Sequence, residues 1–404
     1  MRRIASAATA VLVLAIPALV LSAPASAAPT STQPTPSAAG WLARQLVDGE
    51  RFEVVFGEDT FPDQGLTADT ILAFAAARAS GTNAQKAIDW LDDPVVADGY
   101  YGSFDADPAT ATAGSVAKLI LAAQVMGKDP ASFAGGVDLV ALLLTLQNPT
   151  TGRFADTGPF GDFANVLGQS FATIALARTA DHDDEAELAA DYLAAIQCDG
   201  GGWPQSLAGT TTLPDCDAEV DSTAMAVQAL LAAGRADDAA DGLDWLESKQ
   251  KPNGGFDDDA QFGVNANSTG LAAQALRAGG RTGPADEAVD YLLTLQVGCG
   301  GPAEQLGAIA YDENGFDAAN VNRATAQGIL GLAGIGFAEL TIDGADADAP
   351  ALACATTPPA TSASGGLAAT GASLTGLLTA GAALVVAGAV LLLIARARRR
   401  RADV

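Results

Sequence analysis

The sequence has little of the chemistry on which metal-dependent and nucleic-acid-binding proteins rely. Among its 404 residues are one histidine, four cysteines, 6% aromatic residues, and 21 basic against 48 acidic residues. One histidine excludes any site built from two or more imidazoles, which removes most zinc enzymes. The net charge of −27 excludes nucleic acid as a partner, because affinity for phosphates comes mainly from lysine and arginine.

The amino-terminal end is typical of a secretory signal. Residues 1–27 contain two arginines, an apolar run and the small-residue sequence Ala25-Ser26-Ala27. This pattern predicts a signal peptide that is cleaved after Ala27. An uncleaved membrane anchor is the alternative interpretation.

The carboxyl-terminal end, residues 367–404, predicts a second signal. The pentapeptide 367–371, which ends in Thr370-Gly371, precedes an apolar stretch at 374–394 and a cluster of arginines. The stretch is long enough for a transmembrane helix, and the arginines would hold its end in the cytoplasm. The pentapeptide resembles the sorting signals of Gram-positive surface proteins. That resemblance implies that a sortase cuts between Thr370 and Gly371 and joins the chain to peptidoglycan, whereas a plain single-span anchor is the alternative.

Between the two ends the sequence repeats. Residues 28–40 and 341–366 are rich in Pro, Ser, Thr and Ala and predict a linker and a stalk. Residues 41–340 alternate between amphipathic segments and segments that are apolar nearly all round, with a period of about 50 residues. A helix that is apolar all round must be buried on every side. Six such pairs predict an all-α fold, an α/α toroid with the apolar helices inside; a superhelical solenoid is the alternative.

The long turns of this repeat share a Gln…Gly…aromatic pattern. Copies run from Gln147 to Phe154, from Gln197 to Trp203 and from Gln250 to Phe256. Glycine permits the positive φ that follows a helix carboxyl terminus, and the aromatic residue can pack inward. The pattern resembles the repeats of the squalene–hopene cyclase and protein prenyltransferase superfamily over residues 40–337, which implies the toroid fold.

The functional residues of that superfamily carry over poorly. The Asp-x-Asp-Asp acid of the cyclases has one match, at residues 181–184, in a short turn that we expect on the opposite rim. The zinc site of the prenyltransferases needs a histidine, and His182 of the same turn is the sole one. Cobalamin transporters resemble the ring as well, but they add a carboxyl-terminal domain where this chain has its predicted stalk.

The rim that carries the long turns is the predicted functional face, because long loops on a rigid scaffold often carry function. Position on this rim selects five candidate ligand contacts: Trp203, Asp221, Phe256, Asp257 and Asn267. Asp257, Asp258 and Asp259 form the densest acidic cluster and are candidate ligands for Ca²⁺, since calcium prefers carboxylate oxygens. Solvated acidic loops without a ligand are the alternative. No other cofactor is expected.

These observations favour a non-catalytic binding or interaction module on the outer surface of a Gram-positive cell, with an unidentified ligand or protein partner. One alternative is an extracellular enzyme that acts on a terpenoid or a glycan through rim carboxylates. Another is a cobalamin-type small-ligand binder. The sequence leaves open whether catalysis occurs.

The four cysteines predict two disulfides, as expected for an exported chain. Four cysteines allow three connectivities. Proximity in the sequence favours Cys198–Cys216, which leaves Cys299 and Cys354 as the second pair.

Overall fold

A computed structural model describes residues 33–102, 110–159, 161–207, 216–258 and 262–354. The predicted signal peptide with its cleavage after Ala27, the sorting site at Thr370 and Gly371, and the transmembrane segment 374–394 lie outside the described residues. Within the described ranges, no helix is both long and apolar enough to cross a membrane.

The described residues are mostly helical. In chain order the helices are α1 (Pro34–Ala43), α2 (Gln64–Ala77), α3 (Gly81–Leu91), α4 (Pro94–Tyr101), α5 (Ala113–Val125), α6 (Leu139–Thr145), α7 (Val166–Ala177), α8 (Asp183–Ala195), α9 (Val220–Ala232), α10 (Ala236–Lys249), α11 (Ala266–Ala278), α12 (Thr282–Leu295) and α13 (Val321–Ala333). Two short antiparallel ribbons accompany them, β1 (Phe52–Phe56) with β2 (Asp59–Asp63), and β3 (Trp203–Pro204) with β4 (Ala218–Glu219). Single 3-10 turns lie at Pro130–Ser132, Ala303–Gln305 and Phe337–Glu339.

Burial separates the helices into two layers. The inner helices α2, α5, α7, α9, α11 and α13 are buried over most of their length; in α2 every residue from Leu66 to Ala77 is buried. The outer helices bury one stripe, as α3 does with Ala84, Ala87, Ile88 and Leu91. That spacing is the one expected of a helix with a single apolar face.

The inner helices close into a ring. Each contacts the next in chain order, and α13 returns to contact α2, while α1 packs against α13. This closure confirms the predicted all-α toroid and not an open solenoid. It also gives each inner helix neighbours on both flanks, which a helix that is apolar all round requires.

The repeated turn motif ties one outer helix to the next. Gln147 donates its side-chain amide to Glu185 O (2.9 Å) at the start of α8, and Gln250 donates to Pro284 O (2.8 Å) in α12. Gln296 closes the series by donating to Pro34 O (2.8 Å) in α1. Gly152 of the first copy has φ +74° and lies against Leu188 O, so a side chain there would clash. The motif is therefore a structural clamp at these turns, whereas Gln197 of the second copy donates to Gly201 O (2.7 Å) within its own turn.

The predicted linker 28–40 overlaps the first helix at its carboxyl-terminal side. Helix α1 already begins at Pro34, and its residues 37–43 are buried. Proline is favoured at the first position of a helix because its missing N–H would have no partner there. The small residues that follow allow close packing, which composition alone could not distinguish from a linker.

The predicted stalk also begins later than residue 341. Residues 335–354, here called the strap, run across the carboxyl-terminal ends of the inner helices. Arg178 of α7 donates to Phe337 O (2.8 Å) and Leu340 O (2.9 Å), and Ile342 N donates to Val125 O of α5 (3.0 Å). Backbone groups that are paired in this way belong to the folded ring and not to a solvated stalk.

Both predicted disulfides are confirmed. Cys198 pairs with Cys216 (Cα–Cα 5.6 Å) and Cys299 pairs with Cys354 (Cα–Cα 5.5 Å). The second bond fastens the end of the strap to the turn that follows α12. Because it closes 55 residues of chain and the first closes 18, it removes more entropy from the unfolded state.

We expect the double variant Cys299→Ser/Cys354→Ser to lose about 4 kcal/mol of unfolding free energy, and Cys198→Ser/Cys216→Ser about 3 kcal/mol, from the loop-closure entropy. Chemical denaturation measures both. Limited proteolysis should cut residues 341–354 in the first variant and leave them intact in the second. Equal cleavage of the strap in both variants would contradict its attachment by Cys354.

Candidate functional site

The inner helices begin at one end of the ring, here called the ring mouth. Side-chain caps mark that end: Asp63 accepts from Leu66 N (2.8 Å), and Asn165 accepts from Gly168 N (2.9 Å). The strap lies at the other end. Its Phe337 is buried, and the ring of Phe337 packs 5.7 Å from that of Phe171 on α7. This aromatic pair forms a floor beneath the mouth.

Three inner helices bring charged side chains together inside the mouth. Lys118 Nζ of α5 lies 2.8 Å from Asp69 Oδ1 of α2, and Arg323 of α13 lies 3.1 Å from Asp69 Oδ2. Arg323 also reaches Asp63 (3.4 Å). Burial of the ammonium opposes its charge, but the attraction of Asp69 outweighs that effect and raises the pKa of Lys118.

The sequence pattern alone does not predict this cluster. Helix α2 begins five residues before Asp69, and Asp63 is its cap. Asp69 therefore lies within a helix whose other residues are nearly all apolar. The sign of this cluster in the sequence is a single charged residue in each of the apolar segments that form α2 and α5. Only the fold brings these two charged residues together, because α2 and α5 become neighbours in the ring.

A cleft of about 250 Å³ opens beside Lys118 between α4, α5 and α7. Aromatic rings, hydroxyls, an amide and a carboxylate line it: Tyr100, Thr112, Gly114, Ser115, Lys118, Asp156, Phe163, Ala164, Asn165, Leu167, Gly168 and Phe171. Lys118 Nζ lies 5.1 Å from the centre of the Phe171 ring. Phe163 is 71% exposed, so the outer wall of the cleft is available to a ligand.

The backbones of α5 and α7 approach each other closely beside the cleft. Gly114 and Gly168 face each other, and a Cβ on Gly114 would lie 3.1 Å from the Gly168 Cα. Asp156 holds the wall by accepting from Ala113 N (2.8 Å) and from Phe163 N (3.3 Å). Burial and then the neighbouring Asp162 raise the pKa of Asp156, although its backbone hydrogen bonds act in the opposite direction.

A second polar group lies at the mouth around Asp221, in the first turn of α9. Asp258 accepts from Asp221 N (2.9 Å), and the Ser268 hydroxyl of α11 donates to the Asp221 carboxyl. Burial raises the pKa of Asp221 to about 7, and the charges of Asp258 and Glu219 add to this effect. Asp221 Oδ1 is shielded from solvent and accepts no hydrogen bond from the described residues. Strongly perturbed carboxyls of this kind are common at functional sites.

The five candidate contacts have different surroundings in the structure. Trp203 and Phe256 are fully buried; the Trp203 indole donates to Leu193 O (2.7 Å), so both rings serve packing. Asp257 lies 2.9 Å from Lys251 in an ion pair. Asp221 and Asn267 lie in the first turns of α9 and α11 at the mouth, and Asn267 Oδ1 accepts no hydrogen bond from the described residues. Only this last pair belongs to the candidate site.

The predicted calcium site gains no support from the described part of the chain. Asp259 lies outside it. Asp257 is paired with Lys251, and Asp258 accepts from Asp221 N. Across the described ranges no group of three His, Cys, Asp or Glu residues is arranged to hold a metal ion.

The Asp-x-Asp-Asp string lies where the sequence predicts. Asp181 and His182 end the short turn before α8, and Asp183, Asp184 and Glu185 occupy the first helical turn. His182 Nδ1 lies 3.3 Å from Glu185. Carboxylates in a first turn stabilise the positive end of the helix dipole, and this turn is at the end opposite the mouth.

Comparison with known proteins shows the fold and no closer relationship. No protein-family model and no curated relative matches the chain. Among solved structures, a protein from Actinoplanes is 15% identical with a TM-score of 0.54, over 74% of this chain and 98% of its own. The unsaturated glucuronyl hydrolase of Bacillus sp. GL1 is 11% identical (TM-score 0.53; 74% and 95% covered). The type II terpene cyclase MstE from Scytonema is 14% identical (TM-score 0.54; 74% and 96% covered).

We expect Lys118→Met to lower the free energy of unfolding by about 3 kcal/mol, because removal of one partner leaves a buried charge less compensated. Lys128→Met is the matched control, since Lys128 also lies 2.8 Å from a carboxylate, that of Asp89, but at the surface. It should cost less than about 1 kcal/mol. Urea denaturation measures both, and equal losses would contradict the buried role of Lys118.

Asp221→Asn should stabilise the protein by about 2 kcal/mol above neutral pH. The folded protein holds the Asp221 proton more tightly than the unfolded chain does, since the pKa rises from 3.8 to about 7. Wild type therefore loses stability as the pH rises through this interval, whereas the variant does not. Denaturation at a series of pH values measures the difference. A gain that is present at pH 4 and absent at pH 8 would contradict this sign.

Proposed function

We propose that the ring mouth binds a hydroxyl-rich, glycan-type ligand. The observation that carries this proposal is the cleft beside Lys118, in which aromatic faces and hydrogen-bonding groups line the same small volume. Ligand sites commonly combine aromatic walls with a few fixed polar groups. The cleft of about 250 Å³ lies below the roughly 300–1,000 Å³ of sites that hold drug-sized ligands, so one sugar unit is the expected occupant.

The charges at the mouth argue against the other ligands that the sequence left open. A polyisoprenoid would have to cover Lys118, Asp69 and Asp156 with hydrocarbon, and it has no polar group to replace the water that these side chains would lose. A cobalamin is far larger than the cleft. A sugar hydroxyl can donate to a carboxylate and accept from an ammonium, which suits both signs of charge at once.

The setting of this binding site is the outer cell surface. The predicted signal peptide and sorting signal support export, sortase cleavage between Thr370 and Gly371, and attachment to peptidoglycan. Two disulfides among the described residues support the same location, because such bonds persist in oxidising compartments. A wall-attached ring with an open mouth would meet glycans, and the acidic body would repel anionic polymers.

Hydrolysis of the bound glycan is the second candidate function. Asp221 favours it, since its raised pKa of about 7 would keep a proton available for a leaving group near neutral pH. A glycan-active hydrolase is also among the proteins of similar fold. The binding proposal does not depend on this step.

Phe163→Ala should abolish binding with little effect on the fold, because the ring is largely exposed and lines the cleft. Isothermal titration with neutral wall saccharides and their monomers measures affinity, and the reducing ends released by the same samples report hydrolysis. Leu293→Ala on the outer helix α12, also a surface position, is the control. The proposed site would be overturned if none of these saccharides binds either variant, or if they bind the Phe163→Ala and Leu293→Ala variants equally.

A further inference from the structure

The antiparallel ribbon of β1 and β2 lies at the surface between α1 and α2, and one of its faces is apolar. Strands β1 and β2 pair with Phe52 opposite Asp63, Val54 opposite Phe61 and Phe56 opposite Asp59. Alternate residues share a face, so Val54, Phe56 and Phe61 lie together on the face of the buried Phe52. They are 48%, 80% and 47% exposed. Exposed apolar clusters of this kind mark interaction surfaces.

The outer edge of β1 has no partner strand among the described residues. The two-residue turn at Gly57 (φ +66°) and Glu58 makes Phe56 and Asp59 a hydrogen-bonded pair. By alternation, Glu53 and Val55 direct their backbone N–H and C=O groups away from β2. Among the described residues β1 pairs with β2 alone. The outer edge of β2 is blunted, since Pro62 has no N–H to offer there.

The ribbon is also strongly acidic. Residues 48–63 contain six carboxylates and one basic residue, Arg51. Arg51 contacts Asp48, Glu50 and Glu53. Glu58 and Asp59 lie at the tip, next to the exposed Phe56. A second copy of this chain would bring equal negative charge to the same place, so charge complementarity selects a basic partner.

We propose that the open edge of β1 is a docking site for an extended, Lys- or Arg-containing segment of another protein. The segment adds as a third strand and pairs its backbone with Glu53 and Val55. Its alternate apolar side chains pack beside Val54 and Phe56, while its basic side chains meet the acidic tip. The surface is separate from the cleft beside Lys118, and the proposal does not depend on the glycan ligand.

An alternating Lys–Val octapeptide is the probe, with binding to the whole exported chain followed by fluorescence anisotropy. Val55→Pro removes one outward N–H and leaves the ladder with β2 intact, so affinity should fall about tenfold. Val55→Ala keeps the N–H and is the matched control, with a change of less than about twofold. Thermal unfolding checks that both variants fold.

Two further peptides distinguish strand addition from electrostatic attraction alone. A Glu–Val octapeptide should not bind, and methylation of alternate backbone nitrogens of the Lys–Val peptide should weaken binding about tenfold. Equal binding to the Val55→Pro and Val55→Ala variants would overturn the proposal, as would indifference to N-methylation. Sedimentation that shows a dimer of the chain, lost on Val55→Pro, would assign the edge to self-association instead.

Discussion

The structure depends on the burial of helices that are apolar nearly all round. Each inner helix needs neighbours on both flanks and an outer helix behind it. A row of such helices would leave its two end members uncovered, and contact between α13 and α2 removes those ends. Close approach of small residues, such as Gly114 against Gly168, brings the helices near enough to exclude water. The outer helices are then spaced by the repeated glutamine clamps.

Ring closure creates two unlike ends. At one end the helices finish, and the strap crosses them, fastened by Arg178 and by the Cys299–Cys354 bond. At the other end the helices begin, and their first turns and the long loops present polar side chains. Phe171 and Phe337 pack together on the side of the strap, so the two ends of the ring differ in what covers them. The candidate site follows from this asymmetry.

Ion pairing explains why charge is tolerated in a core made mainly of alanine and leucine. Asp69 of α2 is buried, and Lys118 and Arg323 on the two neighbouring inner helices compensate its charge. A glucuronyl hydrolase and a terpene cyclase have similar folds, so the fold by itself does not fix what a ring of this kind does.

The sequence alone determined the helix pairs and the end that carries the long loops, because hydrophobic period and turn residues are local properties. It favoured the ring and the disulfide pairing, but contact between α13 and α2 and the positions of the cysteines in the fold decided them. It placed Asp221 and Asn267 at the mouth but also selected Trp203 and Phe256, since an aromatic residue near a turn has the same local pattern whether it packs inward or faces solvent. The extent of α1 and the strap were decided by tertiary contacts. So was the cluster of Asp69, Lys118 and Arg323, which lie on helices far apart in the chain. Their attraction acts through space, and only the closed ring brings them within hydrogen-bonding distance.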